Sequence, residues 1–375
     1  MLVSFSQWIT IMEPKPKNSK KKVLIVCEYF PPHIGGAEKL LSLHVQNLSK
    51  TGKYSFRVIT SYVPDSLSYE RISDTVEVFR YPWPVLFGHP IALPQNLHKH
   101  IQWSDIVHTV LYSCALQAYL LSKIYRKPSV LTVFEILNKR WLAVASNLVV
   151  GGAYWLIEVL LLKLGFSKFH AISNHTYEKL IQRVAADRSV MIYPFVSKPL
   201  HTQIKVDYKD YFLFFGRAGR TKGLSVLVDA IVDMQERGHT PLFVLIIAQH
   251  PRLERLAVIK QIQSLKLVNI VVLEQQSPEM LAAYIQSAKV VVVPSLTEGF
   301  GFSAHEASQL GKPVIFSDNT SLAEVVQKGL SFTNNSSKDL ASRIMKFDST
   351  QLEVSENSIL SENTERQWQG VYETD

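Results

Sequence analysis

Two carboxylates in one short glycine-containing stretch are the sharpest chemical feature of the chain: Pro294-Ser-Leu-Thr-Glu298-Gly-Phe-Gly-Phe-Ser-Ala-His-Glu306. A carboxylate accepts two hydroxyl hydrogen bonds at once, as sugar and ribose diols require. Glu298, Gly299, Phe300 and Gly301 follow the apolar run Val290–Val293, and Glu306 falls one to two turns into the helix expected next. The first N–H groups of that helix suit phosphate or sugar oxygens. A second segment, Phe215-Gly-Arg-Ala-Gly-Arg-Thr-Lys-Gly223, again follows an apolar run. Gly216, Gly219 and Gly223 surround Arg217, Arg220 and Lys222 with little bulk, and cations among free backbone N–H groups suit a diphosphate. Its spacing is not that of a Walker A loop. A third segment, Phe30-Pro-Pro-His-Ile-Gly-Gly-Ala-Glu38, places Gly35 and Gly36 just before a helix. Paired glycines there let a backbone approach a ligand, though any α/β protein also turns on two glycines.

Together these segments resemble glycosyltransferase family 4, the retaining glycosyltransferases of GT-B fold. Glu298…Glu306 looks like that family's Glu-x7-Glu hallmark, Gly216-Arg217 with Lys222-Gly223 is similar to its diphosphate site, and Gly35-Gly36-Ala37-Glu38 resembles its N-terminal glycine loop. Phe169-His-Ala-Ile-Ser-Asn174 resembles the strand-to-helix signal closing its first domain. The resemblance runs from about Lys22 to Val326. It implies a nucleotide-sugar co-substrate of UDP or GDP type, with no other cofactor. Arg217 and Lys222 would neutralise the leaving diphosphate, Glu306 would bind ribose hydroxyls, and Glu298 the donor sugar. Gly299, Phe300 and Gly301 would offer N–H groups to donor sugar and phosphate, and the base would sit near Gln275–Pro278. It further implies a lipid-linked or oligosaccharide acceptor in polysaccharide or glycolipid synthesis. The chain departs from the family in three places. Phe134 stands where many members carry a histidine, leaving Glu135 as the candidate sugar or acceptor contact. Tyr193-Pro-Phe-Val196 replaces an Asn-Gly, and Ala248-Gln249-His250 replaces a Gly-x-Gly. His108, ending an apolar run, is either a second such contact or a satisfied core histidine. His305 is either a packing residue or a second approach to the donor.

The elements that must position these residues alternate from end to end. Val23–Cys27, Phe56–Thr60, Val76–Tyr81, Ile106–His108, Val130–Phe134 and Phe169–Ile172 are expected strands. So are Tyr211–Phe215, Leu242–Ala248, Ile270–Leu273, Val290–Val293 and Val314–Phe316. Between them, Leu41, Val45 and Leu48 share one helical face, Ser173 can cap a helix near His175, and Pro278 suits a first helical turn. Gly311 suits a helix stop. Strands alternating with helices imply parallel sheets with crossovers. The expected fold is therefore α/β, two facing Rossmann-like domains about a deep cleft. Its expected parts are a basic leader (1–20), an N-terminal acceptor-side domain (21–196), a linker (197–210), a nucleotide-sugar domain (211–350) and a polar tail (351–375). In that tail Trp368, Val371 and Tyr372 share the apolar face of a short helix that packs back on the body.

Composition bounds the function classes. The chain has 375 residues, 47% hydrophobic and 19% charged, enough for two large cores. Cys27 and Cys114 cannot build a disulfide framework, which fits a reducing, cytoplasmic setting. Residues 1–12 lack the basic n-region and cleavage site of a signal peptide, and translation could begin at Met1 or Met12. The longest apolar stretch, Leu148–Phe166, is broken by Glu158 and Lys163, so a spanning helix is not expected. Residues 1–200 carry 23 Lys+Arg against 12 Asp+Glu, and the remainder 17 against 20, within a net +8. That asymmetry fits an anionic membrane surface or a phosphate-bearing acceptor beside the first half. No nucleic-acid-binding pattern is present. Neither an Asp-x-Asp motif nor a metal-ligand cluster is visible, so no metal is expected. A nicotinamide enzyme would need G-x-G-x-x-G after Val23–Cys27, which is absent. The rival classes are a sugar-nucleotide epimerase or hydrolase, and an inactive nucleotide-sugar-binding protein.

Overall fold

The computed structural model describes residues 20–33, 35–64, 66–82, 85–86, 89–90, 96–112, 114–249, 252–347, 352–354 and 363–373. Most of the leader, Lys15 and Lys17 included, and His250 lie outside the described residues. The first half runs β1 (Lys21–Val26), α1 (Gly36–Lys50), β2 (Tyr54–Ser61), β3 (Tyr69–Ser73), β4 (Val76–Tyr81), β5 (Val85–Leu86), β6 (His89–Pro90), α2 (Leu97–Trp103), β7 (Ile106–Val110), α3 (Ala115–Ile124), β8 (Ser129–Val133), α4 (Trp141–Val144), α5 (Leu148–Leu162), β9 (Lys168–Ala171), α6 (Asn174–Leu180) and β10 (Ser189–Met191). The second runs β11 (Phe212–Gly216), α7 (Leu224–Glu236), β12 (Phe243–Ile247), α8 (Arg252–Ser264), β13 (Ile270–Leu273), α9 (Pro278–Ser287), β14 (Val290–Val293), α10 (Phe302–Gln309), β15 (Val314–Ser317), α11 (Leu322–Val325), β16 (Lys328–Phe332), α12 (Ser337–Met345), β17 (Glu353–Val354) and α13 (Thr364–Tyr372).

Each half builds its own sheet. The first is ordered β10-β9-β8-β7-β1-β2-β4-β3, the second β13-β12-β11-β14-β15-β16-β17. Within these two sheets pairing is parallel except for β3 on β4 and β17 on β16, and β5 and β6 form a separate antiparallel pair. Around β1 and around β11 the chain winds first to one side and then to the other, the doubly wound order of a Rossmann fold. Each sheet therefore has a switch point, between β1 and β7 and between β11 and β14, and ligands of such sheets bind outside the strand ends there. The central strands are apolar throughout because both faces are covered: Val23, Leu24 and Ile25 are fully buried, as are Val290 and Val291.

Local chemistry places the helices. Ser173 caps α6 by accepting from the Thr176 N–H, and Ser277 caps α9 by accepting from the Met280 N–H, with Pro278 in its first turn. Gly311, at φ 71°, follows the end of α10, and its N–H donates to the Ser308 carbonyl. Helix α13 returns to the first half, with Trp368 and Tyr372 almost fully buried beside His44 and His108. Strands β3, β10 and β16 were not evident from apolar runs, because Tyr69–Ser73 is exposed, Ser189–Met191 is short and Lys328–Phe332 is mostly polar.

Candidate active site

The glycine-and-cation loop leaves β11 and the two-carboxylate loop leaves β14, so both flank the second sheet's switch point. Their close fit explains their glycines. Gly223 has φ 64°, and a Cβ there would lie 1.8 Å from the Pro294 carbonyl oxygen. Gly301 has φ 94° and starts α10, where a Cβ would lie 2.5 Å from Leu322. A side chain at Gly223 would have to displace backbone, and one at Gly301 would have to displace the Leu322 side chain, each at a left-handed φ. This packing delivers Lys222 to Glu298: the ammonium donates to both carboxylate oxygens, at 2.8 and 3.0 Å. The pair is largely screened from solvent, with 25% and 11% of the side chains exposed. Arg217 is exposed on the same loop, and Arg220 donates to the Ala145 carbonyl of the first half at 2.7 Å.

The facing wall comes from the ends of β8 and β1. A Cβ on Gly299 would lie 2.0 Å from the Phe134 carbonyl oxygen, so the end of β8 reaches the Glu298 loop directly. This carries Glu135 into the field of Glu298 and Lys222. One Glu135 carboxylate oxygen is buried with no protein hydrogen-bond partner, as is the Lys179 ammonium. Burial pushes the Glu135 carboxyl up to about 7, opposed by the charge of Lys179 and reinforced by that of Glu298. Burial likewise lowers the Lys179 ammonium, which Glu135 counteracts.

From β1, the glycine loop folds back on itself. Glu38 is buried beside His33, 2.7 Å from its Nδ1, and occupies the space that a Cβ on Gly35 would need. Gly36 faces Phe302 of α10, 3.6 Å from the position of a Cβ. One turn on, Lys39 donates to Glu306 and lies over the Phe302 ring. Both carboxylates of the second-half loop are thus held by lysines, Glu298 by Lys222 and Glu306 by Lys39. Such pairs can hand a cation to an incoming anion and a carboxylate to an incoming diol. His305 is buried against Phe300, and burial holds its imidazole down at about 4, so it stays neutral.

His108 stands apart from this cluster. It is 1% exposed, and its ring nitrogens contact Tyr372 Oη at 2.6 Å and Thr132 Oγ1 at 2.7 Å. The expectation of a sugar contact is corrected on that ground: burial under α13 leaves neither nitrogen for a ligand, and His108 is a core residue. Sequence patterns did not single out Lys39, Lys179 or Glu324. Glu324 accepts from the Asn174 N–H (2.8 Å), the His175 N–H (2.7 Å) and Tyr193 Oη (2.8 Å), joining α11 to the start of α6. The only local signal was for Lys39, a cation one turn into the helix after paired glycines.

The sequence profile of glycosyltransferase family 4 matches residues 34–198, and that of glycosyl transferases group 1 matches residues 200–367. The chain belongs to glycosyltransferase family 4. It is 26% identical over 348 residues to an uncharacterised glycosyltransferase of Methanocaldococcus jannaschii, covering 87% of this chain and 88% of that one. Among solved structures it is similar to sucrose-phosphate synthase from Thermosynechococcus elongatus, with a TM-score of 0.71, 19% identity, and 94% and 95% of the two chains covered. It is also similar to Anabaena HepE in complex with UDP-glucose, with a TM-score of 0.65, 18% identity, and 94% and 95% covered. The two doubly wound sheets are those of a GT-B glycosyltransferase.

Proposed function

We propose that this glycosyltransferase moves a hexosyl group from a UDP- or GDP-type sugar to a lipid-linked or saccharide acceptor, retaining anomeric configuration. The observation that carries this reading is the Lys222–Glu298 pair at the second sheet's switch point, with Glu306 on the following helix. The UDP-glucose complex of the similarly folded HepE supports the donor class. On donor arrival Lys222 turns from Glu298 to the diphosphate, joined by Arg217, and Glu298 is freed for sugar hydroxyls. Glu306 exchanges Lys39 for the ribose diol. Gly35, Gly36, Gly216, Gly299, Phe300 and Gly301 line the donor with backbone.

As the glycosidic bond breaks, negative charge grows on the leaving diphosphate and positive charge on an oxocarbenium-like sugar. Lys222 and Arg217 stabilise the first, without a metal in this reading. Glu135, facing Glu298 from the first half, holds a hydroxyl at the reacting centre, and the departing phosphate oxygen takes the acceptor proton. Incubation with labelled sugar nucleotides, with and without a saccharide or lipid-phosphate acceptor, tests the proposal. Transferred sugar with an unchanged anomeric centre supports it. Epimerised donor, free sugar alone, or binding without turnover would each replace it with a rival class. Turnover should persist in excess EDTA; loss restored by a divalent ion would overturn the metal-free step.

A further inference from the structure

Helix α5 is turned inside out. Its only charged residue, Glu158, is fully buried, while Leu148, Val149, Leu156, Ile157 and Leu160 are 42–83% exposed. The burial of Glu158 has a structural cause. Its carboxylate accepts from Tyr112 Oη (2.6 Å), the Leu137 and Asn138 N–H groups (both 2.9 Å) and Trp141 Nε1 (3.1 Å). Those four donors, from the end of β7, the segment after β8 and the start of α4, fix the rotation of α5, so its aliphatic side points outward. A surface helix normally does the reverse.

The neighbouring α3 extends this face. Its Leu116, Leu120 and Ile124, spaced one turn apart, are 45%, 51% and 70% exposed. Helix α3 packs on the segment that follows α5, where Tyr119 lies against Phe166 and Lys123 Nζ comes within 4.0 Å of the Cβ position of Gly165. Cations surround the apolar face: Lys123 on α3, Lys139 beside Trp155, and Lys163 at the end of α5. Residues 106–177 carry seven Lys+Arg and two Glu. Of those two, Glu158 is buried and Glu135 lies in the candidate site; the next exposed carboxylate along the chain is Glu178, on α6.

We propose that the outer face of α3 and α5 docks on an anionic lipid bilayer, with the aliphatic side chains entering the acyl boundary and the lysines meeting headgroup phosphates. An apolar face flanked by Lys123, Lys139 and Lys163 matches that interface, where buried apolar area and electrostatic attraction act together. A second protein copy fits less well, since the same cations would repel across a self-complementary contact. Among the described residues no helix is long and apolar enough to cross a membrane.

The test is co-sedimentation of the full chain with phosphatidylcholine vesicles, with and without phosphatidylglycerol, at low and high salt. Wild type should bind the anionic vesicles at low salt and release at high salt. Leu156→Asp/Leu160→Asp and Lys123→Glu/Lys163→Glu should each weaken binding about tenfold or more, because each removes one of the two attractions. Both substitute exposed side chains, and circular dichroism confirms that the variants are folded. Three results would overturn the proposal: equal binding to neutral and anionic vesicles, no binding to either, or binding indifferent to both variants. Gel filtration adds a fourth: a dimer abolished by Leu156→Asp/Leu160→Asp would make the face a self-association surface. Donor affinity, measured on the same preparations without lipid, is independent of docking, so failure of the donor reading shows separately.

Discussion

At the scale of residues, two lysine–carboxylate pairs carry the account. Lys222 and Glu306 do different work in the proposed reaction, and their loss should look different. Lys222→Ala should lower kcat by about 10²–10³ with a smaller change in donor KM, because leaving-group charge exists only in the transition state. Glu306→Ala should raise donor Kd by roughly 10–100-fold, the worth of a diol bound to a charged acceptor, at about 1.5–3 kcal/mol. Steady-state kinetics and calorimetry separate the two effects. Glu135 sets a pH expectation. Its carboxyl is held up at about 7, so it is mostly protonated below that pH and ionised above it. If the ionised form holds the reacting hydroxyl, kcat/KM should rise with pH through about 7, and Glu135→Gln should flatten that limb. A profile unchanged in the variant would remove Glu135 from the centre. Glu298 and Glu306 were legible in the sequence because their relation is local, a loop and the helix after it. Lys39–Glu306 and Glu324–His175 were not, since 267 and 149 positions separate the partners and only the folded domains bring them together.

At the scale of elements, close approach between loops replaces side-chain bulk. Gly223→Ala would force a Cβ into the Pro294 carbonyl at a left-handed φ, and should cost roughly 2–4 kcal/mol of stability with a displaced Lys222. Thermal denaturation together with kcat reports both. Helix α13 shows how far periodicity reaches. The spacing of Trp368, Val371 and Tyr372 marks an apolar face, and the structure buries all three. What that face meets has no sequence signature: a chain of buried polar groups. The Ile192 carbonyl can only accept, so His170 donates from Nε2 (2.8 Å) and accepts at Nδ1 from Thr132 (2.9 Å). Thr132 in turn accepts from His108 Nε2, whose Nδ1 accepts from Tyr372, and Tyr372 accepts from His44 Nε2 at 2.7 Å. Every bond runs in one direction, with all three histidines neutral. Tyr372→Phe strands one donor and one acceptor, and should lower stability by about 2–4 kcal/mol, as seen in denaturant midpoints.

At the scale of the molecule, those histidines link stability to pH. Burial holds His108 at about 3, His170 at about 4 and His44 well below the ordinary 6.5. Their folded pKa values lie below the unfolded ones, so between about pH 6.5 and 4 the unfolded chain binds more protons. The stabilisation is full above 6.5 and declines as pH falls through that window, by about 2 kcal/mol at pH 5 for each of His108 and His170, with His44 acting in the same direction. The melting temperature should therefore drop steeply between pH 7 and 5, and less so in His108→Asn. The alternation of apolar runs with helical patterns revealed two parallel α/β halves, since doubly covered strands are continuous apolar segments. Strand order was not legible, because order is set by which crossovers pack, and it is this order that puts the glycine loops at switch points.

The central claim is that the second half holds a nucleoside diphosphate sugar through Lys222 and Glu306. Isothermal titration of UDP- and GDP-sugars into wild type and Glu306→Ala tests it most directly. Saturable one-to-one binding that weakens about tenfold or more in the variant is the predicted result. Binding of equal strength in both proteins, or no binding of either nucleotide class to wild type, would contradict it.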